Sequence, residues 1–171
     1  PDLRRWESAF GKSVELPIVI GEESLLVDPI PSGGGIINGG AKLSFDSGGR
    51  PLVSYHKSDA EGHMQIYVAR PEGEKWQRRQ LTDWNESIEF SGGGSMGFIG
   101  IRIGALTPAA DGLLTMIYRH RDHGGGRLFV DEKELRPVAK RVPVGRSIPR
   151  ELERLESDFE GMAIRHEEDR G

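Results

Sequence analysis

From Lys42 to Trp84 the chain alternates short runs of strand-type residues with turn signals. "KLSFD" (Lys42 to Asp46) precedes a Ser-Gly-Gly turn and "PLVSYHK" follows it; "MQIYVAR" comes after "SDAEG", and "KWQRRQLTDW" after "PEGE". Runs this short, carrying β-branched and aromatic residues and bounded by Gly, Asp and Ser, predict four antiparallel strands joined by tight turns. A second stretch repeats the order, with "GALTPA" (Gly104 to Ala109), turn "ADG", "LLTMIYRHR", turn "DHGGG", "RLFVDEKEL" and "RPVAKRVPV". At an offset of 63 residues Tyr55 falls on Tyr118, His56 on Arg119, Asp59 on Asp122, Gly62 on Gly125 and Gly49 on Gly112.

A repeated four-stranded antiparallel unit predicts an all-β fold made of β-propeller blades. The offset exceeds the roughly 40 to 50 residues of common blades, and the excess is assigned to the glycine-rich insert "SIEFSGGGSMGFIG" (Ser87 to Gly100), a long loop or strand lead-in. Two blades cannot close a ring, and the chain opens on "PDLRRWESAFGK" and closes on "EEDRG", both mid-phrase. The expectation is a partial β-propeller of about two to three blades, a piece of a longer protein, forming one domain over 1–171. Within it, 1–34 is the end of a preceding blade and a lead-in segment, 35–84 a blade, and 85–103 the insert. A second blade covers 104–146, and 147–171 is a connector with the start of the next blade. Only "SIPRELERLESDFEG" reads as helical, with Ser147 as N-cap, Pro149 in the first turn, Leu152, Leu155 and Phe159 at helical spacing, and Gly161 as the stop.

Composition narrows the function classes. The 24 glycines and 10 prolines among 171 residues suit strands and turns better than a helical bundle. A net charge of −4 gives no reason to expect nucleic acid or an acidic membrane as partner. The absence of cysteine excludes a disulfide scaffold and thiol chemistry. No apolar run approaches the roughly 20 residues of a membrane span, and the N-terminus has no signal-peptide pattern.

Candidate chemistry concentrates between 51 and 70, where Tyr55, His56, Lys57, Asp59, His63, Gln65, Tyr67 and Arg70 stand close together. Alternate strand residues face opposite sides, so Tyr55 and His56 diverge unless a bulge or strand end intervenes. A turn near Ala60-Glu61 puts Tyr55 opposite Tyr67, with Arg70 three residues, or about 10 Å, further along. Each residue also has a structural reading: Tyr55 as a blade-packing aromatic, His56 as a hydrogen-bonding partner of a turn, Arg70 as the partner of Glu72 or Asp59, and Asp59 as a turn cap. The second copy, "YRHRDH", is basic at the same level and reads either as a cationic rim or as a solvated hairpin tip. His120 and His123 without a third ligand nearby do not make a metal site, and no cofactor is expected. "SGGGIINGG" and "SGGGSMG" lack the pattern of a phosphate loop.

The run Tyr55, His56, Lys57, Asp59, Gly62, Gln65, Tyr67, Arg70, together with "PDLRRW", "LPI" and "VDPIP", resembles the BNR-repeat-containing proteins, notably the ulvan lyases. Those are seven-bladed β-propellers that act on acidic polysaccharides. The resemblance implies a secreted or periplasmic monomer whose partner is a uronate-containing polysaccharide cleaved by β-elimination. By the same resemblance Tyr55 is the general acid/base, Arg70 neutralises the carboxylate, and His56 binds substrate or makes the second proton transfer. Lys57, Gln65, Tyr67, Arg119 and His120 would contact substrate. Two rivals are a sialidase-type glycoside hydrolase and a non-catalytic propeller that binds glycans or proteins. The first is weakened because "SFDSGGRP" begins like an Asp box but has Arg50 and Pro51 where that motif has Thr and Trp, and precedes the Tyr55 strand.

Overall fold

The computed structural model describes residues 4–19, 21–22, 25–37, 40–89 and 100–142. Every regular element among them is a strand. The expected helix over 147–161, most of the glycine-rich insert and the connector lie outside the described residues.

Two short strands, β1 (Trp6–Glu7) and β2 (Ser13–Val14), form an antiparallel ribbon. The first blade is a four-stranded meander of β3 (Lys42–Phe45), β4 (Pro51–Ser58), β5 (Met64–Glu72) and β6 (Lys75–Gln80), ordered as in the chain. Each turn has a local cause. Gly49 supplies the positive φ of the β3–β4 turn. Asp59 accepts the N–H groups of Glu61 and His63 at 3.1 and 2.8 Å, closing the β4–β5 turn as its residue type implies.

The second blade contains β7 (Ile101–Ile103), β8 (Thr107–Pro108), β9 (Leu113–His120), β10 (Gly124–Asp131) and β11 (Pro137–Val142). β7 and β8 both pair with β9 on one edge. Between Ile103↔Tyr118 and Thr107↔Thr115 three residues oppose two, so a bulge at 104–106 divides what is one strand in the first blade. The outer strand therefore starts at Ile101, inside the stretch read as insert, and the bulge turns Leu106 into the core.

The blades stack face to face. Leu52, Ile66 and Val68 from the first pack with Leu114, Met116, Tyr118, Leu128 and Val130 from the second, and each large apolar side chain so buried stabilises by roughly 1.5–3 kcal/mol. After β6 the chain leaves the sheet, and Trp84 and Ile88 join the same core. Polar ties cross the seam as well: Ser44 Oγ donates to the Leu106 carbonyl at 2.6 Å, and Leu106 N–H donates to Ser54 Oγ at 3.1 Å. The equivalence of Tyr55 and Tyr118 holds in direction, since each faces the part of the chain that precedes its own blade. Their cross-strand partners differ. Tyr55 stacks on Tyr67, whereas Tyr118 lies over Gly126, where an added Cβ would come within 2.7 Å of the phenol oxygen.

The opposite face of the first blade is covered by the segment 25–37. Val27 and Ile30 pack against Tyr55, Tyr67 and Ala69. The segment makes no strand pairing with the sheet; Gly34 O accepts Ser58 N–H at 2.9 Å, and Gly35 approaches the same residue so closely that an added Cβ would meet Ser58 N at 2.8 Å.

Candidate functional site

Strand alternation divides the candidates between two faces. Tyr55 pairs with Tyr67 and Lys57 with Gln65 on the face toward segment 25–37. His56 and Arg70 point the other way, toward the second blade's side. Tyr55 and His56 diverge as the alternation requires. Tyr55 and Arg70 diverge too, because Arg70 lies an odd number of residues beyond Tyr67, so the structure does not bring the expected acid/base and its expected cation together.

The side chains on the Tyr55 face converge on a residue the motif did not include. Tyr55 Oη donates to Asp28 Oδ2 at 2.6 Å, and Lys57 Nζ lies 2.8 Å from the same oxygen. Arg78, opposite Ala69 on β6, has its Nε 3.6 Å from Asp28 Oδ1 while donating to the Val27 carbonyl at 2.7 Å. The Tyr55 and Tyr67 rings stack at 5.8 Å, and Lys57 Nζ sits 4.7 Å from the Tyr67 ring centre, a cation–π contact. Tyr67 Oη donates to Gln80 Oε1 at 2.8 Å. Burial, then the hydrogen bond to Asp28, push the Tyr55 hydroxyl far above its ordinary value; burial, then the charges of Asp59 and Asp28, raise Tyr67. Tyr55 therefore holds its proton firmly and serves as a hydrogen-bond donor to Asp28.

The remaining candidates are committed elsewhere. Arg70 is 2 % exposed and donates to the Glu132 and Lys133 carbonyls across the seam and to Glu72, with Asp46 Oδ2 at 3.5 Å. Asp46 itself caps the β3–β4 turn, accepting Gly48 and Arg50 N–H at 3.0 and 2.8 Å. The Asp-box-like run thus builds a turn between the first and second strands of the blade. His56 is buried with Nδ1 2.8 Å from the Gly35 carbonyl, and burial holds it below the usual imidazole value. Gln65 donates to Asp59 Oδ2 and the Trp84 carbonyl and accepts from Thr82 Oγ1 and Trp84 N–H, which takes up all four of its hydrogen-bonding positions.

On the second blade Arg119 and His120 point to opposite sides of β9, Arg119 outward and His120 buried. His120 Nδ1 accepts the N–H groups of Asp122 and His123 at 3.2 Å each, which places its proton on Nε2. Its ring stands 4.5 Å from Trp84, and burial, then the charge of His123, lower its basicity. The basic run is largely neutralised, since Arg121 pairs with Asp122 at 2.9 Å and His123 Nε2 lies 2.6 Å from Glu86. Among the described residues no group of three His, Asp or Glu is placed to hold a metal ion, and no helix is long and apolar enough to cross a membrane.

Residues 1–84 match the family described as BNR repeat-containing family member. The BNR match takes in the whole first blade with the segment that covers it, so Asp28, Tyr55, Lys57, Tyr67 and Arg78 all fall inside it, and the His120 cluster falls outside. No curated protein matches the chain. Asp28 and Arg78 escaped the motif for different reasons. Counting across the hairpin "PEGE" would have put Arg78 opposite Ala69, on the Tyr55 face. Asp28 stands 27 residues before Tyr55 in an unpaired segment; the run "VDPIP" contains it, but nothing in that run ties it to Tyr55.

Proposed function

We propose that the chain is part of a propeller-type carbohydrate-active protein that cleaves uronate-containing polysaccharide by β-elimination. The observation that supports this reading most is the meeting of one tightly held phenol proton with two cations, Lys57 and Arg78, on an aromatic wall within the BNR match. In such an elimination a base takes the proton beside the carboxylate, the electron pair forms the carbon–carbon double bond, and the glycosidic oxygen leaves with a proton. Negative charge builds on the substrate carboxylate, so fixed cations lower the barrier. Tyr55 is assigned to the leaving oxygen as proton donor because its hydroxyl carries its proton and aims it at an acceptor oxygen; the burial that raises its affinity for that proton works against the transfer. Lys57 and Arg78 take the carboxylate-neutralising role that the resemblance gives to Arg70, because Arg70 is held on the other face by Asp46, Glu72 and two carbonyls. His56 positions the covering segment through Gly35. Such polymers lie outside cells, so the proposal carries a secreted or periplasmic location with it.

The test is incubation with acidic polysaccharides, ulvan among them, while following the ultraviolet absorbance of the conjugated unsaturated uronate. A rise that disappears in Tyr55→Phe supports the reading. New reducing ends without that absorbance would overturn it in favour of hydrolysis, and glycan binding without either signal would overturn it in favour of a binding module.

A further inference from the structure

The Asp28 carboxylate has the surroundings a bound ligand would have. Two cations and a phenol hydroxyl converge on it, and among the ion pairs of the described residues Lys57 and Arg78 pair with no other carboxylate. One negative charge thus serves two positive ones. The cations are also reachable, since the Lys57 and Arg78 side chains keep 23 % and 39 % of their exposure while Asp28 keeps 9 %.

The residue that fills this nest does not come from the blade. Asp28 arrives on segment 25–37, which contributes no strand to the sheet. Besides the Asp28 contacts its ties to the blade are Arg78 to the Val27 carbonyl, the Gly34 and Gly35 carbonyls to Ser58 and His56, and the packing of Val27 and Ile30. Such a segment can lift without opening the β ladder, and local opening of this kind costs less than global unfolding.

We propose that Tyr55, Lys57 and Arg78 form a carboxylate-binding site that Asp28 occupies from within, as an internal competitor of an external carboxylate. The choice of a uronate as that external ligand rests on the function proposed above; the site itself does not. The Tyr55 and Lys57 contacts lie at charge-assisted hydrogen-bond distance and the Arg78 contact is an ion pair, from which a preference of about tenfold over a simple halide is expected. Entry of the ligand carboxylate displaces Asp28 and frees segment 25–37. The aromatic pair Tyr55–Tyr67 then offers an apolar wall to the rest of the ligand.

The test is chemical rescue. Asp28→Gly removes the competitor and leaves the cations in place. Sodium acetate should raise the melting temperature of this variant above that in sodium chloride of equal ionic strength, with half-saturation about tenfold lower for acetate. The additional change Lys57→Met should abolish the difference. Equal midpoints in the two salts for folded Asp28→Gly would overturn the proposal. A readout on the unaltered protein covers the case in which the variant does not fold: saturating galacturonate should speed hydrogen exchange of the amides in 25–37, and unchanged exchange would overturn the proposal. Acetate rescue without any elimination product would leave the site standing and remove the lyase reading; elimination without rescue would do the reverse.

Discussion

Arg70 shows how an arginine with the features of a ligand cation becomes a structural one. Its guanidinium is almost wholly buried and reaches the turn of the neighbouring blade, where the Glu132 and Lys133 carbonyls need donors. Asp46 and Glu72 balance its charge. Breaking such a buried arrangement by removing one partner leaves the others desolvated and unpaired, at a cost on the order of 3–5 kcal/mol. Arg70→Met should lower the urea midpoint by a corresponding amount, and Arg70→Lys should recover little of it, because an ammonium cannot span two carbonyls and two carboxylates with a planar fork. Equal urea midpoints for the unaltered protein and Arg70→Met would contradict this role.

At the scale of the elements, two histidines hold loops in place as neutral rings. His56 fixes segment 25–37 to β4 through Gly35, and His120 closes the β9–β10 turn by accepting two N–H groups. Burial lowers the proton affinity of both. A depressed histidine contributes stability that is fully present above its unfolded value, near 6.5, and is lost as pH falls through the folded one. Denaturant midpoints should therefore fall from pH 7.5 toward pH 5, and the fall should be shallower in His120→Phe, which cannot take up a proton. A midpoint independent of pH across this window would contradict the assignment. Much of this level was legible in the sequence. The strands, the order of the meander, the opposition of Tyr55 and Tyr67 and the Asp59 turn all follow from period-two alternation and turn chemistry. The division of the outer strand into β7 and β8 was not, because a bulge adds a residue without changing the apolar pattern around it.

On the scale of the whole molecule, the two blades stack in one sense. The Tyr118 face of the second meets the Leu52–Ile66 face of the first, and the equivalent Tyr55 face of the first meets segment 25–37. Sequence reading could find the repeat but not this partner, since Asp28 joins Tyr55 by tertiary contact alone. Of the candidate face, the opposition of Tyr55 and Tyr67 was legible, whereas the expected company of Tyr55 and Arg70 is divided by strand alternation. Arg78 needed the register, and Asp28 needed the structure. The central claim, that this face recognises a carboxylate, is tested most directly by calorimetric titration of an oligouronate and of a neutral oligosaccharide of the same length. The account predicts binding of the acidic chain alone, tighter in Asp28→Gly and lost in Lys57→Met. Equal binding of both chains, or binding of the acidic one that is indifferent to Lys57, would contradict it.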